Sequence, residues 1–167
     1  MSYTNRISQA LHEEHAATVA LMERLEQFIA RHRRRAPPAT ADSAVAELLR
    51  DVSLSVEAQV QRHFAFEEER LFPYLGSIGD EPIGAHLTDE HTVIRPIGVR
   101  VGRLARAAME SGFDAASWEE FCRSGQELCE RMFTHVQKEE AALLPLLEDV
   151  MDAETESQLV AEYLESA

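Results

Sequence analysis

The chain carries one pair of motifs twice, in the same order and at nearly the same spacing. The first motif, L-x-x-E-H, spans residues 11–15 and returns at residues 87–91. The second motif, H-x-x-x-E-E-x-x-L-[FL]-P, spans residues 63–73 and returns at residues 135–145. Each copy lies within an amphipathic stretch with helical periodicity, so the sequence indicates two copies of one helical hairpin. The fold must therefore be one that two equivalent helix pairs can form together.

Composition agrees with an all-α fold. The 167 residues include only 7 glycines and 7% aromatic residues, and Ala, Leu, Glu and Arg dominate. Good helix formers at this frequency, separated by short Pro- and Gly-containing connections, predict an antiparallel up-down four-helix bundle. A short tail helix is expected over residues 152–166, after a core of about residues 8–150. The whole chain, residues 1–167, is therefore expected to form a single domain.

The helix boundaries follow from the breaks in this pattern. Helix one is expected from about Ser8 to Arg34, and helix two is expected to end near Pro73. Residues 76–84 form the expected connection between the hairpins, and Pro96 is expected to kink or restart helix three. Helix four should run from about residue 117 towards residue 150, with Asp152 capping the tail helix and either Thr40 or Asp42 capping helix two.

Six residues in the repeated motifs predict a metal site. The last histidine of each L-x-x-E-H motif and the first of each H-x-x-x-E-E motif lie on the core-facing stripes of their helices. In the second motif a glutamate follows the histidine at a spacing of four, about 40° away in helical phase. Burial of these groups with nothing between them would be costly, whereas a metal satisfies their lone pairs. The candidate ligands are His15, His63, Glu67, His91, His135 and Glu139.

The glutamates that follow these carboxylates point elsewhere. Glu68 and Glu140 lie about 140° from the preceding histidines in helical phase, and are expected to face a neighbouring helix or solvent. They would reach the site only if the helix widened locally.

The types of ligand narrow the choice of metal. A set of imidazoles and carboxylates without thiolates suits iron, manganese or zinc, and two bridging carboxylates suit a pair of metals better than one tetrahedral ion. Ferritin-like di-iron bundles use Glu-x-x-His on two helices, and none of the four histidines has that spacing.

The ordered series E-H, H-x-x-x-E-E-x-x-L-F-P, E-H and H-x-x-x-E-E-x-x-L-x-P resembles the hemerythrin-like (HHE cation-binding) domain over about residues 8–150. The resemblance implies a four-helix bundle with a centre of two non-haem iron ions joined by an oxo or hydroxo bridge. By motif match, the four histidines become terminal ligands, and Glu67 and Glu139 become bridging carboxylates.

One position departs from the oxygen-carrying members of that family. Those proteins have a fifth histidine four residues before another on helix three, where this chain has Leu87 before His91. His86 could act as a fifth ligand if the start of the helix were irregular, or it could be a hydrogen-bonding surface residue. His12 is a second candidate. The departure favours reaction with O2 over reversible carriage.

These features predict a non-haem di-iron protein that binds or reacts with O2, NO or peroxide, in sensing, detoxification or iron handling. The alternative is a metal-stabilised helical interaction module without redox activity. The net charge of −14 argues against non-specific binding of nucleic acid or anionic membrane.

The two cysteines indicate whether the protein resides in a reducing or an oxidising compartment. Cys122 and Cys129 lie seven residues apart in one predicted helix, roughly 10 Å between Cα atoms, which is too far for a disulfide. They are expected to be small core residues in a reducing compartment. The first residues lack the apolar region of a signal peptide, and a cytoplasmic protein is therefore expected.

Overall fold

The computed structural model describes residues 2–166, which form five helices and no strands. The expectation of an all-α protein is therefore confirmed. We name the helices α1 (Arg6–His32), α2 (residues 43–77), α3 (Glu81–Ser111), α4 (residues 115–150) and α5 (Ala153–Glu165).

Helices α2 and α4 contain π-helical turns. In α2 these are Ala58–His63 and Glu67–Leu71, between the α-helical segments Ser43–Glu57, Phe64–Phe66 and Phe72–Ser77. In α4 the π-helical turn Glu139–Leu143 separates Ala115–Lys138 from Leu144–Val150.

Two of these turns come just before a proline. Pro73 and Pro145 each follow the first residue after a π-helical turn. In a regular α-helix the proline ring would clash with the carbonyl four residues earlier, and a widened turn relieves that clash. The repeated proline thus explains why both helices widen at equivalent places.

Side-chain caps fix where four helices begin. The side chain of Asn5 caps α1, that of Asp42 caps α2 and that of Asp152 caps α5. Asp114 forms a capping box with Ser117 at the start of α4. Asp42 is therefore the cap of α2, one of the two candidates from the sequence.

The first four helices pack in a closed ring. α1 contacts α2 and α4, and α3 contacts the same two helices. The start of α1 lies beside the end of α4, where the backbone N–H of Asn5 donates to Glu148 Oε1 at 2.8 Å. The end of α2 lies there too, because the Tyr74 hydroxyl donates to the Val150 carbonyl at 3.2 Å. These contacts place successive helices antiparallel.

Helix α5 covers this same end of the bundle. It contacts α1, and its Tyr163 ring packs edge-on against Phe66 of α2 with 5.0 Å between ring centroids. The tail helix is therefore part of the folded core and not an appendage.

Two hydrophobic clusters fill the interior. The loop-end cluster, near the α1–α2 and α3–α4 connections, includes Leu25, Leu49, Val52, Val101, Phe121 and Leu128. The tail-end cluster, under α5, includes Ile7, Leu11, Leu75, Leu87, Leu143, Leu147 and Leu159. Both expected core cysteines, Cys122 and Cys129, are buried in the loop-end cluster.

Several predicted boundaries were wrong. Helix α2 continues through Pro73 to residue 77, and the connection to α3 is shorter than the predicted residues 76–84. Helix α3 is continuous through Pro96, so of the two predicted alternatives, a kink or a restart, the restart was wrong. Pro96 and Thr92 are both exposed, so water can satisfy the Thr92 carbonyl that loses its amide partner. No helix among residues 2–166 is long and apolar enough to span a membrane.

Candidate metal centre

Four imidazoles and two carboxylates converge between the two hydrophobic clusters. They form two overlapping groups of four, and both groups contain Glu67 and Glu139. The first group adds His15 and His63, and the second adds His91 and His135. In each group the nitrogen and oxygen atoms lie within 4.8 Å of one another, and every side chain is buried. Each group therefore has the donor types and the spacing of a buried metal site.

Glu67 spans the two groups. Its Oε1 lies 3.1 Å from His63 Nε2, and its Oε2 lies 3.3 Å from His91 Nε2. One carboxylate therefore presents one oxygen to each histidine pair, which is the arrangement of a bridging ligand.

Glu139, on α4, also presents one oxygen to each histidine pair. Its Oε2 lies 2.8 Å from His15 Nε2, and its Oε1 lies 2.9 Å from His135 Nε2. The same two oxygens lie 4.0 Å from His63 Nε2 and 3.9 Å from His91 Nε2, respectively. The two glutamates thus lie between the histidine pairs, one from each repeat.

The outward nitrogen of every imidazole contacts a second glutamate. The Nδ1 contacts are His15 with Glu140 at 2.7 Å, His63 with Glu14 at 2.7 Å, His91 with Glu68 at 2.8 Å and His135 with Glu90 at 2.9 Å. An imidazole whose Nδ1–H donates to a carboxylate directs the lone pair of Nε2 to the opposite side, here into the centre.

These four contacts form a closed ring around the bundle, which we call the glutamate ring. The α1 glutamate supports the α2 histidine, and the order continues from α2 to α3, from α3 to α4, and from α4 back to α1. Every pair of adjacent helices therefore shares one contact between a carboxylate and an imidazole.

Two of the four glutamates in this ring were expected from their helical phase. Glu68 and Glu140 were expected to face a neighbouring helix or solvent, and they contact His91 and His15. The roles of Glu14 and Glu90 were missed. The signal was the E-H dipeptide present in both repeats, since adjacent helical residues lie about 100° apart and the glutamate must face the next helix.

The widened turns do not bring Glu68 or Glu140 to the centre. The π-helical turns Glu67–Leu71 and Glu139–Leu143 start at the inward glutamates, and the extra width falls after those residues. The regular spacing of four from histidine to glutamate is preserved. Helical phase therefore placed the inner carboxylates correctly.

The centre contains polar atoms that the protein alone leaves without hydrogen-bond partners. Both carboxylate oxygens of Glu67 and of Glu139 are buried without a hydrogen bond in acceptable geometry among the described residues, and so is His15 Nε2. Unsatisfied buried polar atoms are costly and uncommon. A metal cation would satisfy these atoms, so the residues present fit the group that the sequence implies.

Charge coupling within the centre is strong. Burial opposes protonation of His63, but the nearby Glu67 and Glu139 carboxylates outweigh it and hold the pKa of His63 well above its usual value. The same balance raises the pKa of His91 to about 9. Burial raises the pKa of the Glu139 carboxyl, yet the surrounding imidazoles lower it well below its usual value. The inner carboxylates therefore stay ionised and attract cations, whether protons on imidazole or metal ions.

The two additional histidines lie outside both groups. His86 is on the surface of α3, where its Nε2 lies 3.2 Å from Lys138 Nζ. It follows the regular start of α3 at Glu81, so the irregular start that would bring it inward is absent. His12 is partly exposed, and its Nδ1 lies 2.9 Å from Glu140. Leu87, at the position of a fifth histidine, is buried in the tail-end cluster.

The aromatic surroundings break the symmetry of the centre. Phe64 stacks on the His91 ring with centroids 3.8 Å apart and planes 9° apart, and Phe72 lies 6.0 Å away in a second stacked arrangement. The residue that follows His135 in the second repeat is Val136. Phe64 thus covers the His91 side of the centre, and its counterpart in the repeat is a smaller side chain.

Three further apolar side chains close in sequence to the ligand residues belong to the two hydrophobic clusters. Phe66 packs in the tail-end cluster, and Met132 and Phe133 pack in or against the loop-end cluster.

Comparison with known proteins gives the family. No curated protein sequence matches the chain. The family model described as hemerythrin HHE cation-binding domain matches residues 6–147, which include all six converging side chains and the four ring helices up to the last turn of α4. The chain therefore belongs to the hemerythrin HHE cation-binding domain family.

Proposed function

We propose that the chain binds two iron ions in the bundle core. One ion is held by His15 and His63, the other by His91 and His135, and Glu67 and Glu139 bridge them. The observation that carries the proposal is that both glutamates belong to both four-residue groups. A single ion would leave half of the imidazoles without a partner.

The ligand set supports iron over a structural zinc. Zinc in structural sites takes four tetrahedral ligands, commonly with thiolates. Here each ion would receive two imidazoles and one oxygen from each shared carboxylate, which leaves positions open in an octahedral sphere. Manganese or zinc can occupy the same donors, and an oxo or hydroxo group is the expected third bridge between ferric ions.

We propose that these open positions receive O2, NO or peroxide, and that the protein acts in sensing, detoxification or iron handling. Leu87 in place of a fifth histidine leaves the His91 ion short of one protein ligand and open to water. The reduced centre is therefore expected to be oxidised by O2 and not to carry it reversibly. We also propose a cytoplasmic location, because both cysteines are free and buried as core side chains.

Metal analysis and visible spectroscopy test the proposal. After expression in iron-replete medium we expect two irons per chain and a visible spectrum that is lost on anaerobic reduction. Admission of O2 should restore the oxidised spectrum, and degassing should not reverse it. One zinc per chain with negligible iron and no redox-dependent absorbance would instead support the metal-stabilised interaction module.

Glutamate variants test the bridging assignment. We expect Glu67→Ala and Glu139→Ala to lose both irons, because each removes an oxygen from both groups. Glu68→Ala and Glu140→Ala should retain them with an affinity lowered about 10- to 100-fold, as is usual for groups that orient a ligand. Glu13→Ala, an exposed glutamate on α1, is the matched control. Equal loss of iron in all four variants would contradict the assignment.

A further inference from the structure

A small cavity lies one helical turn from the candidate metal centre, on the side of the loop-end cluster. Its volume is about 20 Å³, and its walls include Thr18, Val60, Ile94 and Met132. The first and third of these follow His15 and His91 by three residues, and the other two precede His63 and His135 by three. A spacing of three on each helix corresponds to about one turn, so the cavity lies about one turn from all four histidines.

The cavity is large enough for one small molecule. A site needs about 10–15 Å³ by this measure to hold a single water. Phe64 forms part of its wall, and the same ring stacks on His91. The aromatic ring thus lies between the cavity and the His91 imidazole, whereas no such ring is stacked on His15 among the described residues.

Two polar side chains meet in this mainly apolar wall. Thr18 is 4% exposed, and its Oγ1 accepts a hydrogen bond from Gln59 Nε2 at 2.7 Å. Gln59 lies in the first π-helical turn of α2, where the Phe64 N–H bonds to its carbonyl five residues earlier. The counterpart of Thr18 in the second repeat is Ile94, so this polar contact exists only beside the His15–His63 pair.

The Thr18 hydroxyl differs from the other threonines within the ring helices. Thr88, Thr92 and Thr134 each donate to the carbonyl four residues earlier. Thr18 accepts from Gln59 but has no acceptor for its own proton among residues 2–166. A buried hydroxyl with a free donor has the chemistry to recognise an acceptor atom placed in the cavity.

We infer that Thr18, held by Gln59, donates a hydrogen bond to the outer atom of a small ligand bound on the His15–His63 side of the centre. The inference rests on the proposed metal centre and deepens it. It favours ligands whose outer atom is a hydrogen-bond acceptor, such as NO, O2 or azide. Thr18 is thus a specificity-determining residue and not a metal ligand.

Azide binding to the oxidised iron protein tests the inference. Thr18→Val keeps the shape of the side chain and removes the hydroxyl, and it should weaken azide binding about 10-fold or more, since a hydrogen bond to a charged group contributes about 1.5–3 kcal/mol. Thr18→Ser should restore most of the affinity. Thr88→Val is the matched control, because that hydroxyl is already bonded to the Gly84 carbonyl.

A vibrational measurement separates recognition from a purely structural role. The N–O stretching frequency of the nitrosyl adduct should shift in Thr18→Val and return in Thr18→Ser. Gln59→Met removes the hydrogen bond that positions the Thr18 hydroxyl. It should therefore shift the N–O frequency in the same direction as Thr18→Val, but by less. If Thr18→Val does not fold, the azide affinity and the N–O stretching frequency of Gln59→Met test the inference.

The outcomes distinguish this inference from the proposed function. If the variants retain two irons but azide affinity and N–O frequency are unchanged, the inference is overturned and the metal centre stands. If the wild-type chain binds no iron, the proposed function itself fails. A loss of thermal stability in Thr18→Val without a change in ligand affinity or frequency would assign Thr18 to packing and overturn the inference.

Discussion

At the scale of residues, each imidazole of the centre lies between two carboxylates with different tasks. The inner carboxylate faces Nε2 and belongs to the centre, whereas the outer one faces Nδ1 and lies nearer solvent. For His135 these are Glu139, which is fully buried, and Glu90, whose side chain is 21% exposed. The outer carboxylate fixes the direction of the ring, and the inner one supplies the charge that binds a cation.

This arrangement predicts how the metal-stripped protein responds to pH. The pKa of His91 is raised above its usual 6.5 to about 9, so the protonated ring stabilises the folded state. That contribution is complete below pH 6.5 and is lost as the pH rises through 9. The lowered pKa of Glu139 acts in the opposite direction, and its contribution is lost as the pH falls below the usual 4.5.

We therefore expect the metal-stripped protein to melt at its highest temperature between about pH 4.5 and 6.5. Between pH 6.5 and 9 its Tm should fall by at least about 3 °C, the change that about 1 kcal/mol produces in a chain of this size. Differential scanning calorimetry after chelation measures this directly. His32→Gln, which changes an imidazole outside the centre, should leave the pH dependence unchanged, and a flat Tm over this range would contradict the prediction.

At the scale of helices, α3 makes a close approach to α2 just before the centre. A Cβ added to Gly84 of α3 would lie 2.9 Å from Phe72 Cβ and 3.1 Å from its Cγ. The Phe72 ring in turn stacks near His91. Glycine at this position therefore lets the two helices approach closely where the π-helical turn of α2 ends.

We expect Gly84→Ala to lower the free energy of unfolding by about 1–3 kcal/mol, because the crowded atoms belong to the base of the Phe72 side chain and cannot move freely. Gly76→Ala is the matched control, since no atom lies within 4 Å of an added Cβ there. In a helix that change should instead raise stability by about 0.5–1 kcal/mol. Urea denaturation of both variants measures the difference, and equal stabilities would show that α2 and α3 separate readily.

The sequence predicted which side chains point into the centre better than it predicted the contacts between helices. A spacing of four placed Glu67 and Glu139 beside His63 and His135, because those contacts lie within one helix. The contacts of Glu14 and Glu90 depend on how far adjacent helices are shifted along each other, which no local pattern specifies. The continuation of α2 through Pro73 was missed because a proline was expected to end the helix, whereas the widened turn before it lets the helix continue.

At the scale of the whole molecule, the candidate centre is a polar layer between two apolar clusters. The loop-end cluster joins all four ring helices, and the tail-end cluster joins them to α5. Each cluster buries apolar surface without any metal. The centre therefore adds stability to a bundle that already has a core on both sides.

We predict that removal of the metal leaves the helices formed but lowers the melting temperature. A ligand that binds only the folded state stabilises it by about 4 kcal/mol at 1,000 times its Kd, which corresponds to roughly 10 °C here. Far-UV circular dichroism before and after chelation should show nearly equal helix content at 20 °C. On heating, the two melting temperatures should differ by roughly this amount. Complete loss of helix on chelation would show that the two clusters alone do not hold the bundle.

The closed glutamate ring also bears on how such a chain can arise. Each hairpin makes one of the four contacts within itself, and the other two contacts run between the two halves of the molecule. A hairpin encoded once could therefore complete the same ring by pairing with an identical copy. Fusion of the two copies into one chain removes the requirement that they stay identical. Phe64 opposite Val136 and Thr18 opposite Ile94 are differences of this kind, and only a fused chain can carry them on one side of the centre.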